Sequence, residues 1–133
     1  MTGIIILNWN GATDTIECLK SLYKAMGKFF IVVADNGSTD DSIDRITDYL
    51  STTNIKYRII DRGEKLDVAP VPFECILFKT HANLGFSKGN NEALRLLAPH
   101  IADSYILLNN DTLVEENFLT ELQHFSDVHP EYK

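Results

Sequence analysis

Apolar residues in this chain come in short solid runs that alternate with amphipathic stretches. "GIIIL" at 3–7 is a β-branched run of strand length, and "ATDTIECLKSLYKAM" at 12–26 places Ile16, Leu19, Leu22, Tyr23 and Met26 at helical spacing. Asp14 and Glu17 read as a capping box near its start. "FFIVVA" (29–34) predicts a second strand, and "SIDRITDYL" (42–50) a second helix with Ile43, Ile46, Tyr49 and Leu50 on one face. Two further strands, "KYRII" (56–60) and "FECILFK" (73–79), flank a charged, proline-containing surface loop at 61–72. A helix over 88–98 stopped by Pro99, a strand at 105–108 and a helix over 115–128 complete the series. This alternation predicts a Rossmann-like α/β fold, with a mostly parallel sheet and helices on both faces.

Composition narrows the class. A length of 133 residues, 44% hydrophobic and 23% charged, fits one domain over 1–133. No apolar run approaches the roughly 18 residues of a membrane span, and the N-terminus lacks a basic leader, so a cytoplasmic chain is expected. Cys18 and Cys75 lie far apart among apolar neighbours, as buried reduced thiols do. His81, His100, His124 and His129 show no paired metal-ligand spacing. A net charge of −7 excludes a nucleic-acid groove, which needs clustered Lys and Arg. An anionic small ligand would then need helix N-termini, backbone amides or a divalent cation, because each close like-charge pair costs about 4 kcal/mol at a partly exposed site.

In open α/β sheets the ligand lies beyond the carboxyl ends of the strands, so the residues after each apolar run carry the information. They are Asn8, Trp9, Asn10 and Gly11; Asp35, Asn36, Gly37, Ser38, Thr39 and Asp40; Asn83, Leu84, Gly85 and Phe86; and Asn109, Asn110 and Asp111. Each loop alone reads as an ordinary turn before a capped helix. Four loops of the same composition on one edge, without Lys or Arg, point instead to a polar ligand. Glycine at 85 and 89 suits either a turn or a close approach of backbone to ligand, and Lys88 either meets a phosphate or is solvated.

The ordered series "IIILNWNG", "VVADNGSTDDS", "NLGFSKGNNEAL" and "YILLNNDT" resembles the nucleotide-sugar-binding half of a family 2 glycosyltransferase, of GT-A type, over nearly the whole chain. The wording of the first, third and fourth motifs is similar to the rhamnosyltransferase-like branch. The resemblance implies a UDP- or dTDP-linked sugar donor and a glycan or lipid-linked acceptor. It places Asn8 and Asn10 near base or ribose, with Trp9 as a wall. Asp35, in a loop with Asn36 and Gly37, would accept a hydrogen bond from the pyrimidine N3–H, and a carboxylate suits that donor. Asn83, Gly85, Gly89 and Asn90 would lie along the sugar nucleotide.

The family carries a D-x-D motif at the fourth tip, holding a divalent cation against the donor diphosphate. Here Asn109 stands first, Asn110 second, and only Asp111 is acidic. One carboxylate plus an amide oxygen still suits Mg²⁺ or Mn²⁺, whose octahedral sites are completed by water and phosphate. An inverting transfer also needs a general base, which family members supply downstream of this strand. The expectation is therefore a donor-binding half cut short before its acceptor-binding part, with peripheral membrane association of the longer protein. A non-catalytic nucleotide-sugar-binding module is the alternative. A phosphoacceptor domain built on Asp35, Asp40 or Asp41 fits poorly, because its late tips should offer a hydroxyl and a lysine. No G-x-G-x-x-G follows the first strand, and no P-loop motif occurs.

Overall fold

The computed structural model describes residues 1–97 and 101–132. Its strands are β1 (Thr2–Asn8), β2 (Phe29–Asp35), β3 (Tyr57–Asp61), β4 (Cys75–Lys79) and β5 (Ser104–Asn109). Its helices are α1 (Ala12–Leu22), α2 (Ser42–Thr52), α3 (Phe86–Leu96) and α4 (Phe118–Val128), with a short 3-10 turn at Pro130–Tyr132. The five strands form one sheet in the order β3-β4-β2-β1-β5, and every pairing is parallel.

Side chains alternate across a strand, so each apolar run feeds two cores. Ile4, Ile6, Ile31, Val33 and Leu77 pack under Leu19 and Leu22 of α1, Ile46 and Leu50 of α2, and Leu119 of α4. Ile5, Val32, Ala34, Ile76 and Phe78 face the other way, toward Ala93 of α3 and Leu97. Burial on both faces explains why these strands read as unbroken apolar runs rather than as polar-apolar alternation. β2, the middle strand, is buried at every position, whereas β5 is an edge on which Leu107 remains 49% exposed. Cys18 and Cys75 are buried free thiols. Burial, reinforced by the Asp111 carboxylate, pushes the Cys18 thiol up to about 11, and burial pushes Cys75 up to about 12, so neither forms a reactive thiolate near neutrality.

Several boundaries differ from the sequence expectation. α1 stops at Leu22 rather than Met26, because the chain turns through Gly27 at φ 116° and the Met26 amide bonds the Glu116 carbonyl at 2.7 Å. The expected capping box does not form. Gly11 is the N-cap, no side chain caps the helix, and Glu17 takes a hydrogen bond from Lys20 at 2.6 Å. β4 begins at Cys75 rather than Phe73, since Phe73 is left-handed at φ 65° and its ring meets Phe29 edge-on. α3 begins earlier, at Phe86, after Gly85 turns the chain. α4 begins at Phe118, because Glu115–Asn117 form a turn in which the Phe118 amide bonds the Glu115 carbonyl. The expected stop at Pro99 lies outside the described residues.

β3 and β4 are parallel neighbours joined without a helix, which leaves the 62–74 segment to be anchored by other means. Glu74, almost fully buried, does this. Its Oε1 accepts from Arg58 Nε of β3 at 2.6 Å, and its Oε2 accepts from the Val71 amide at 2.9 Å.

Candidate active site at the carboxyl ends of the strands

Parallel pairing sends every strand's carboxyl end to one edge, and the register aligns those ends closely. Asn8 is level with Asp35, Asp35 with Lys79, and Leu7 with Asn109. The loops carrying Asn8–Gly11, Asp35–Asp40, Asn83–Phe86 and Asn109–Asp111 therefore leave the sheet side by side. The direction of strand addition reverses between β1 and β5, the position at which open parallel sheets hold ligands.

The asparagines at these tips do something local composition does not reveal: they tie the loops to one another. An amide side chain donates and accepts at once, so one residue can bridge two loops. Asn8, wholly buried, donates from Nδ2 to Asp35 Oδ1 at 2.9 Å and accepts at Oδ1 from Thr15 Oγ1 of α1 at 2.7 Å. Asn10, left-handed at φ 48°, accepts at Oδ1 from the Thr39 and Asp40 amides at 2.8 and 3.2 Å. Asn36 donates to Asn83 Oδ1 at 3.2 Å and accepts from the Leu84 amide at 3.1 Å, which binds the β2 tip to the β4 tip. Asn110 donates to Thr15 Oγ1 at 3.2 Å, which binds the β5 tip to α1.

Asp35 is the hub, only 1% exposed. Its Oδ1 accepts from Asn8 and, at 2.6 Å, from Ser38 Oγ, while its Oδ2 accepts from the Ser38 amide at 3.0 Å. A carboxylate has about four lone-pair sites, so one acceptor position remains, on Oδ2. Asn90 is also buried and donates to the Phe86 carbonyl one turn back in α3. Trp9, by contrast, is 52% exposed beside the cleft, and Asn83, Gly85, Lys88, Asn109 and Asp111 are exposed as well.

The glycines divide into two kinds. Gly37 has φ +76°, and a Cβ there would lie 2.5 Å from the Ala82 carbonyl carbon, so the β2 loop packs directly on backbone of the β4 loop. Gly89 is buried, and a Cβ would lie 2.7 Å from Leu7 Cδ1; its missing side chain serves helix-on-sheet packing rather than approach to a ligand. Gly85, at φ +79° with open space around it, provides the turn into α3.

Pattern reading missed four residues. Thr15 and Thr80 join Ser38 in supplying hydroxyls to the tip network; Thr80 donates to the Asp35 and Ala82 carbonyls at 3.1 and 2.8 Å. Lys79 and His81 bring basic groups to an edge expected to have none. Lys79 Nζ lies 3.4 Å from Asp61 Oδ1, and His81 Nε2 bonds the same oxygen. The His81 hydrogen bond, followed by that of Lys79, holds the Asp61 carboxyl below its ordinary range. The direct signal for Lys79 is its position as the last residue of an apolar run.

Among the described residues no group of three or more His, Cys, Asp or Glu side chains is placed to hold a metal ion. Asp111 nevertheless fits a shared site. It is exposed and, among the described residues, its carboxylate accepts no hydrogen bond, so it is available as a hard oxygen ligand beside Asn109.

The chain superposes on S. aureus TarS, a glycosyltransferase, with a TM-score of 0.65 and 21% identity, covering 96% of this chain and 20% of that one. The likeness is one of fold: a Rossmann-like, all-parallel α/β sheet of GT-A type with helices on both faces. The chain thus spans about a fifth of TarS. No family model matches the sequence, and no curated relative does.

A groove of about 740 Å³ lies away from the tips, between the start of β5 and α4, lined by Thr2, Ser104, Ile106, Leu119, Leu122 and Gln123 among others. It is mostly apolar, and it contains none of the amides and carboxylates gathered at the other end. We place the candidate site at the strand tips because polar groups converge there. No helix of the described residues is long and apolar enough to cross a membrane.

Proposed function

We propose that this chain is the donor-binding half of an inverting glycosyltransferase that takes a UDP- or dTDP-linked sugar and serves transfer to a glycan or lipid-linked acceptor. The observation carrying this reading is the shared edge on which a buried carboxylate, Asp35, and an exposed one, Asp111, lie two strands apart on a glycosyltransferase fold. Strands are spaced about 4.8 Å, so this separation of roughly 10 Å suits a base at one end and a diphosphate at the other.

In this reading the free acceptor position of Asp35 receives the pyrimidine N3–H, a charge-assisted bond in a site with little water. Trp9 offers an exposed ring as a wall beside it. Asn8 and Asn10 hold the loops that frame the ribose, and Asn36 with Gly37 sets the position of the loop bearing Asn83 and Gly85. Asn83, Gly85 and Lys88 line the path of the donor along the start of α3, and Asn90, buried behind them, steadies that first turn through the Phe86 carbonyl. Asn109, Asn110 and Asp111 form the diphosphate end, with Asp111 and Asn109 as ligands to Mg²⁺ or Mn²⁺. When bound, such a cation supplies Lewis-acid stabilisation of the departing nucleoside diphosphate. Its need follows from the charge of the protein, −7 overall, and from Lys79 being engaged by Asp61. The acceptor-activating base belongs to the acceptor-binding part, which we place beyond this chain together with its membrane contact.

Calorimetric titration tests the metal role. UDP or dTDP affinity is expected to fall at least tenfold, about 1.4 kcal/mol, both in EDTA and in Asp111→Ala. Unchanged affinity under both conditions would retire it.

A further inference from the structure

We infer that Thr15, inside α1, is a positioning residue that couples the base-reading carboxylate to the metal-bearing loop. The inference rests on the nucleotide-sugar reading above and deepens it. Thr15 is fully buried on the second turn of a helix whose other inward residues, Ala12, Cys18, Leu19 and Leu22, are small or apolar. A threonine there serves neither as helix cap nor as core filler, and its hydroxyl bonds two different strand tips. It accepts from Asn110 Nδ2 at 3.2 Å and donates to Asn8 Oδ1 at 2.7 Å. Asn8 passes the chain on, donating from Nδ2 to Asp35 Oδ1 at 2.9 Å.

The polarity of this chain is fixed from one end. An ionised carboxylate only accepts, so Asp35 requires the NH₂ of Asn8 to face it and leaves the Asn8 oxygen facing α1. That oxygen requires a donor, and Thr15 has one hydroxyl proton to give. With its proton committed, Thr15 presents a lone pair to Asn110, the residue directly before Asp111. Each orientation is dictated by the one before it, from the β2 tip through the β1 tip and α1 to the β5 tip. Interior hydrogen bonds of this kind reinforce one another, and an unpaired member in a buried site is costly. Gly11 adds a steric reason for the same junction, since a Cβ at 11 would lie 2.8 Å from Asn110 Nδ2. One hydroxyl thus joins the two ends of the donor site, beside a longer bond from Asn110 Nδ2 to the Gly11 carbonyl at 3.4 Å that does not reach Asp35.

The test compares Thr15→Val, which keeps the shape and removes the hydroxyl, with Thr15→Ser, which keeps the hydroxyl. UDP with Mg²⁺ spans both ends, whereas uridine and Mg²⁺-pyrophosphate each occupy one. Thr15→Val is expected to weaken UDP–Mg²⁺ roughly tenfold while changing uridine and Mg²⁺-pyrophosphate by less than about twofold, and Thr15→Ser is expected to restore UDP–Mg²⁺. Equal losses for all three probes, or none for UDP–Mg²⁺, would overturn the inference. If the wild-type chain binds none of the probes, the functional reading fails, and the relay is then judged without ligand. Asp35→Asn is expected to move the side-chain amide NMR resonances of Asn110, two strands away, in the wild-type background and in Thr15→Ser. Unmoved Asn110 resonances would overturn the relay by itself, and the same arm decides if Thr15→Val does not fold.

Discussion

Gly37→Ala is expected to destabilise the chain by about 3 kcal/mol or more, which for a domain of this size lowers the melting temperature by roughly 10 °C. Two terms add. The backbone sits at φ +76°, where a side chain costs about 1–2 kcal/mol. The new Cβ would also lie 2.5, 2.7 and 2.8 Å from the Ala82 carbonyl carbon, Cα and nitrogen, all main-chain atoms that cannot swing aside. Relief requires the 80–85 loop to move, which breaks the bonds from Asn36 to Asn83 and from the Leu84 amide to Asn36, each worth about 1 kcal/mol. Urea denaturation of Gly37→Ala measures the loss, and a loss no larger than the conformational term of about 1–2 kcal/mol would refute the steric part.

Asp35→Ala is expected to weaken UDP and dTDP roughly 100-fold, about 2.7 kcal/mol, and to weaken Mg²⁺-pyrophosphate much less. The carboxylate has two tasks, and the variant removes both. It leaves Asn8 Nδ2, Ser38 Oγ and the Ser38 amide without their acceptor in a buried site, so the β2 tip loses its shape. It also removes the charged acceptor proposed for the pyrimidine N3–H. Equal losses for nucleotide and pyrophosphate would reduce Asp35 to a structural pin of the loop. A larger loss for the nucleotide assigns it the base.

Most of the fold was legible because strands buried on both faces and amphipathic helices have different periods. "FFIVVA" matches β2 almost residue for residue, and the expected mostly parallel sheet is parallel at every pairing. The misplaced boundaries have two kinds of cause. The end of α1 and the start of β4 depend on partners distant in sequence, Glu116 for Met26 and Phe29 for Phe73, whereas the capping box is lost to a local pair, Glu17 with Lys20. The site was legible as a set of loop ends but not as a network. An Asn-rich tip looks the same whether its amides face a ligand or each other, and the structure turns those of Asn8, Asn36 and Asn90 largely inward. Thr15 was invisible because it lies within an ordinary helical repeat, and its meaning arises only where α1 passes under the β5 loop.

The central claim is that the four strand tips form one nucleotide-sugar site. Amide and indole NMR resonances of the chain, followed during addition of UDP and Mg²⁺, test it most directly. Movement of Trp9, Asn10, Ser38, Gly85 and Asp111, with Gln123 and Ser126 of the α4 groove unmoved, is the predicted result. Movement confined to the α4 groove, or none at millimolar UDP, would contradict it.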